Sequence, residues 1–92
     1  MDMSTNEPKR TVNRTQTGVR IETRLLKVLK GLAELHDMSL GDLIEGIALH
    51  ALEGRSPFSP ATLEQIAALR SVYGLTLTAE DSHKLVEGPL ES

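Results

Sequence analysis

The stretch from Thr15 to Glu53, TQTGVRIETRLLKVLKGLAELHDMSLGDLIEGIALHALE, constrains this chain most. It opens on an alternating run, Thr17-Gly18-Val19-Arg20-Ile21. Two apolar-periodic segments follow, split by Asp37-Met38-Ser39. The order predicts one short strand, a helix, a tight turn and a second helix. A lone strand cannot satisfy its own backbone donors and acceptors, and buried unpaired groups are costly. The simplest partner is the same strand of a second copy. That would place an antiparallel two-stranded ribbon on the twofold axis of a homodimer. One face of the ribbon would lie on the helices. The other would carry Gln16, Gly18 and Arg20, and is the expected working surface.

A strand and two helices, about forty residues, bury too little to be stable alone without disulfides, metal or oligomerisation. The chain has no cysteine, which removes disulfides and cysteine-ligated metal. Oligomerisation remains. The 92 residues allow one domain, read as a basic arm (1–13), a dimerisation and binding core (14–54) and a C-terminal helical extension (55–92). Aromatic residues are limited to Phe58 and Tyr73, so Leu, Ile, Val and Ala must build the core. No apolar run approaches the roughly 18–20 residues needed to span a membrane. The N-terminus is polar without a signal-peptide pattern. A cytoplasmic protein is the expectation.

The formal net charge of −3 hides an asymmetry. Residues 1–36 carry seven basic and four acidic side chains, and residues 37–92 carry three and nine. Charge sorted in this way points to a basic binding end and an acidic body. Clustering on solvated faces would give the same count, so the asymmetry adds only weak support.

Alternation predicts Thr17, Val19 and Ile21 on the inner face of the strand, with register fixed because a one-residue slip would turn both apolar residues to water. Thr23 is a candidate cap for a first helix, about 24–36. Its apolar stripe holds Leu25, Val28, Leu29, Leu32 and Leu35. Gly31 within it costs roughly 1 kcal/mol relative to alanine. Asp37 ends the helix, and Asp tolerates the left-handed conformation. Ser39, with Asp42 three residues on, starts the second helix. Leu40, Leu43, Ile44, Ile47, Ala48, Ala51 and Leu52 form a stripe wide enough for a partner's helices as well as its own. The expected dimer core is therefore Val19, Ile21, Leu25, Leu29, Leu32, Leu43, Ile44, Ile47, Ala48 and Ala51. Ser59-Pro60 opens a third helix to about Tyr73, closed by Gly74. A short fourth helix is expected over Ala79–Glu87, capped by Thr78 with Asp81.

Gln and Arg suit base edges, Arg pairing with guanine and Gln with adenine. Alone, exposed Gln16 and Arg20 would be ordinary surface residues. Lys9, Arg10 and Arg14 suit phosphates, where each neutralised phosphate releases counterions. An inert tail explains them about as well. The start of the second helix, at Ser39 and Leu40, offers free N–H groups and the positive end of a dipole, although a cap alone carries no functional information. The histidines are His36, His50 and His83. None pairs with a Glu at metal-ligand spacing, no Gly-rich phosphate loop follows a strand, and no serine has a nucleophile-elbow context. No enzyme activity, metal or cofactor is expected.

From about Gln16 to Leu52 the pattern resembles the ribbon-helix-helix superfamily of Arc/MetJ/CopG-type regulators. The residues that carry it are Gln16-Thr17-Gly18-Val19-Arg20-Ile21, the leucine-rich first helix, and Met38-Ser39 with Leu43-Ile44 behind. The resemblance covers roughly forty residues and rests on residue classes. It implies a mainly α fold with one short N-terminal β-strand. Two copies would form an intertwined ribbon-helix-helix homodimer, with one or two helices added at the C-terminus. It implies a sequence-specific double-stranded DNA-binding transcriptional regulator, a repressor of prokaryotic, plasmid or phage type. Gln16, Gly18 and Arg20 would read the major groove, and the backbone at Ser39 and Leu40 would hold phosphate. Gly18 supplies no side chain at the central reading position. Asp37 stands where members often have glycine. Further assembly of dimers on DNA stays open. The alternative is an antitoxin-like module in which residues 56–92 bind a partner protein, since Leu63, Ile66, Leu69 and Tyr73 form an apolar face.

Overall fold

A computed structural model describes residues 9–89. Three helices build it: α1 over Thr23–Leu35, α2 over Leu40–Leu52 and α3 over Pro60–Tyr73. A single 3-10 turn, Ala79–Asp81, follows.

Side-chain caps start the helices. Glu22, not Thr23, caps α1, its carboxylate accepting from Leu25 N at 2.7 Å. Ser39 Oγ accepts from Asp42 N at 3.0 Å, and Ser59 Oγ from Thr62 N at 3.2 Å. Pro60 stands in the first turn of α3, where its missing N–H removes nothing. All three helices end in the same way. A left-handed residue (Asp37, Gly54 or Gly74) turns the chain. The next N–H then reaches back five residues: Met38 to Ala33, Arg55 to His50, Leu75 to Arg70, at 2.9–3.0 Å. This Schellman closure satisfies carbonyls that a helix end leaves open.

Helix α1 is the middle element. It packs against both α2 and α3, which do not pack on each other among the described residues. Leu32, Ala33 and Leu43 are the buried centre, with Leu29, Met38, Ile47, Phe58, Ile66 and Leu69 around them. Gly31 explains itself here. A Cβ at that position would stand 3.1 Å from Leu69 Cδ2 and 3.6 Å from a Tyr73 ring carbon. The glycine lets α3 approach α1, which offsets its poor helix propensity. Beyond α3 the chain is drawn back by Arg70 Nη2 donating to Leu77 O at 2.8 Å. Leu75 is buried there.

Two expectations are corrected. There is no β-strand among the described residues, so the strand, the two-stranded ribbon and the intertwined ribbon-helix-helix fold give way to a helical architecture. Residues 9–22 have no regular structure, and those before Glu22 make no backbone–backbone hydrogen bond among the described residues. The reason lies in the run itself. It offers two apolar side chains and a central glycine, and nothing among the described residues pairs with its backbone. Val19 is 73% exposed. The expected helix over Ala79–Glu87 is also absent. Thr78 and Asp81 form the anticipated capping box, but Ser82 turns to ψ 136 directly after Asp81 and ends the turn after one winding, with His83 next at φ +67.

Of the expected arm, residues 1–8 lie outside the described residues. No helix is long and apolar enough to cross a membrane.

Candidate nucleic-acid interface

The unstructured segment before α1 does not hang free. It runs past α1 and the start of α2, and together they border an open groove of about 1170 Å³. Residues 13–19 and Ile21 form one wall. Leu26 and Lys30 of α1 and Ser39 to Asp42 of α2 form much of the other. A bidentate ion pair spans it: Arg14 Nε and Nη2 donate to the two oxygens of Glu45 at 2.8 and 2.9 Å. The hydrogen bond from Arg14 holds the Glu45 carboxyl below the usual carboxylate range; desolvation opposes it, and the Arg14 positive charge adds a smaller lowering. The same contact raises the Arg14 guanidinium above its ordinary value.

At the start of α2, Asp42 N is used by the Ser39 cap and Leu43 N by Ser39 O. The N–H groups of Leu40 and Gly41 have no acceptor among the described residues. They lie at the positive end of the helix dipole and border the groove. Gly41 has open space where a Cβ would stand, so no side chain there shields them.

The groove gathers Arg14, Gln16, Gly18, Ser39 and Leu40 of the sequence-derived site. It does not gather the rest. Lys9 and Arg10 are exposed at the start of the described chain, outside the groove. Arg20 pairs with Glu87 on the C-terminal segment and does not border it. The division of the run into two faces is lost with the strand, since Val19 and Ile21 line the groove beside Gln16 and Gly18.

Of the expected dimer core, Leu32 and Leu43 are buried in the chain's own centre, and Leu29 and Ile47 pack against them. Ile21 is half-buried. Val19, Leu25, Ile44, Ala48 and Ala51 remain exposed.

Three groove residues escaped the sequence reading: Lys30, Asp42 and Glu45. Lys30 reads as a polar-face residue and Asp42 as a cap partner of Ser39, and the Arg14–Glu45 pairing across 31 positions leaves no local pattern. Charges at the groove balance, with Arg14 and Lys30 facing Asp42 and Glu45. Among the described residues, no three His, Asp or Glu side chains are grouped to hold a metal. No family model, curated protein or solved structure matches the chain.

Proposed function

We propose that this chain is a sequence-specific double-stranded DNA-binding regulator acting in the cytoplasm as a homodimer. The observation that carries the reading is the groove. It sets Arg14 and Gln16 beside two unpaired N–H groups at the start of α2, with Lys30 on the same border. Backbone N–H groups at a helix start suit phosphate, and a long basic side chain suits the next phosphate along. Gln16 is exposed and has the donor and acceptor needed at a base edge. Contact is made by an irregular arm and a helix start; no strand takes part. The likeness to ribbon-helix-helix regulators therefore supports the reading only through its helix pair, and repression is the regulatory sense it implies.

Dimerisation draws its support from α2. Ile44, Ala48, Ala51 and Leu52 recur on one side of the helix, and all are exposed. Contiguous apolar surface of this kind marks association. The rival reading, a protein partner bound at 56–92, has less to work with. Ile66 and Leu69 are used in packing against the core, leaving Leu63, Val72 and Tyr73 as exposed large apolar side chains on α3.

The test is selection of bound sequences from random duplex DNA at one fixed salt concentration, with wild type beside a Gln16→Ala variant. The expected result is a short paired motif enriched by wild type and lost or relaxed in the variant, at a cost of about 1–3 kcal/mol. Equal enrichment by both would remove the assigned reading residue. No enrichment by either, from soluble protein, would remove the DNA reading.

A further inference from the structure

A second hollow, of about 290 Å³, opens between α1, α2 and the linker that precedes α3. Its floor is apolar, built by Leu32, Leu43, Ile47 and Phe58. Along α2 the border runs Asp42, Gly46, His50, spaced by four residues and so in one row. His36 contributes from α1.

Gly46 is a notch in that row. Glycine inside a helix is destabilising relative to alanine, and at Gly31 close packing explains it. At Gly46 nothing does, since a Cβ there would meet no atom within 4 Å. The chain leaves room that its own packing does not require.

Three of the polar side chains around this room share one character, while the fourth, Thr62, has a hydroxyl that both donates and accepts. His50 Nδ1 lies 2.7 Å from Gly46 O. A carbonyl only accepts, so Nδ1 carries the proton and Nε2 of the neutral ring is an acceptor. His36 Nε2 lies 2.8 Å from Gln65 Oε1. With the proton on Nε2, Nδ1 of His36 is likewise an acceptor. The ionised Asp42 carboxylate only accepts. No Lys or Arg borders the hollow among the described residues.

We propose that this hollow binds a small organic cation, an amine with a single-ring apolar body. The body lies on Leu43, Ile47 and Phe58 at the Gly46 notch. The ammonium donates to Asp42 and to an imidazole nitrogen. The size fits: an apolar cavity of about 150 Å³ holds benzene, and this hollow sits at the small end of ligand pockets. Asp42 also borders the groove, so on the DNA reading a bound cation would offset one of the two carboxylates facing it.

The experiment is an NMR titration of the full chain with three probes of one shape: benzylammonium, benzyl alcohol and benzoate. Benzylammonium is expected to shift the resonances of Gly46, Ile47, His50 and Phe58 with a dissociation constant of about 1 mM or tighter. The alcohol and the benzoate should bind roughly tenfold more weakly or not at all, and Asp42→Asn should cost about the same factor. Gly46→Leu fills the hollow and should abolish the shifts. Gly46→Ala, which adds a methyl in open space and favours the helix, should keep the fold while weakening them. No shift with benzylammonium at about 10 mM, equal binding of either other probe, or undiminished binding to folded Gly46→Leu each overturns the proposal. None of these readouts involves DNA, so the hollow and the groove stand or fall separately.

Discussion

Helices α1 and α2 have thirteen residues each and are both leucine-rich, yet they fare differently. Helix α1 carries Arg24, Lys27, Lys30 and Glu34 and still buries Val28, Leu32 and Ala33. Helix α2 carries only Asp42 and Glu45 among charged residues and buries only Leu43. The more apolar helix is the barer one. Position decides this: α1 lies in the middle with a helix on each side, while α2 packs on no helix but α1 among the described residues. Apolar surface left in water forfeits the stabilisation of burial, roughly 25 cal/mol per Å². The side chains on the bare side of α2 are thus surplus to what one copy needs.

The sharpest way to break this comparison is to cut the same side chain from each helix. Leu32 is 1% exposed, and Leu52 is 84% exposed. Leu32→Ala should cost about 2–5 kcal/mol, the lost transfer energy plus the cavity left behind. Leu52→Ala should stay within about 0.5 kcal/mol in dilute protein. Chemical denaturation of both variants under identical conditions decides it. Comparable losses would mean that α2 is covered in solution by something the single chain does not supply.

Self-association sharpens the same contrast. Ile44 is 36% exposed on α2, with Ala48 one turn on and also exposed. Ile44→Lys puts a charge on the face proposed to join two copies, where an unpaired buried charge is strongly disfavoured. The dimer dissociation constant should rise at least about tenfold, read by sedimentation velocity, with helical circular dichroism unchanged. A wild-type chain that stays monomeric at about 100 μM removes the dimer. A dimer indifferent to Ile44→Lys moves the interface elsewhere.

What the sequence disclosed follows from how local each signal is. Ser39, Ser59-Pro60 and Gly74 fix helix ends through bonds to residues within one turn, and each acts where its chemistry indicates. Asp37 takes the left-handed position that glycine would fill. Residue preference points to Thr23 as the first cap, but the Glu22 carboxylate one position earlier takes the role. The strand failed because alternation over Thr17 to Ile21 describes side chains, whereas a strand exists only where a neighbour pairs its backbone. Gly31 and Gly46 look alike in the sequence. One is required by Leu69 of α3, and the other borders empty space, a difference that only the fold reveals. The candidate groove was half legible. Arg14, Gln16 and Ser39 stood out by type and position, but Glu45, which holds Arg14 at the groove, lies on another element.

The smallest effect, and the most specific to the groove, concerns Glu45. Both members of the Arg14–Glu45 pair are largely exposed, and exposed ion pairs contribute little. Yet Arg14 cannot hold Glu45 and a phosphate with the same Nε–Nη2 edge. Glu45→Gln should therefore tighten binding to any duplex by about two- to fivefold, and the gain should vanish when Arg14 is also changed to Ala. Arg14→Ala alone should weaken all sequences alike. The pH dependence has a definite sign. Glu45 titrates below the ordinary carboxylate value in the folded chain because Arg14 donates to its charged form, so the pair is intact at neutral pH and is lost as pH falls through that lowered value. Arg14 stays charged throughout, its own value being raised. Acidification should therefore bring wild type toward the Glu45→Gln affinity, while rising salt, which screens pair and phosphate contacts together, should narrow the gap between them. Fluorescence anisotropy with one labelled duplex measures all three. A Glu45→Gln chain that binds more weakly than wild type would show that Glu45 positions Arg14 for DNA instead of competing for it.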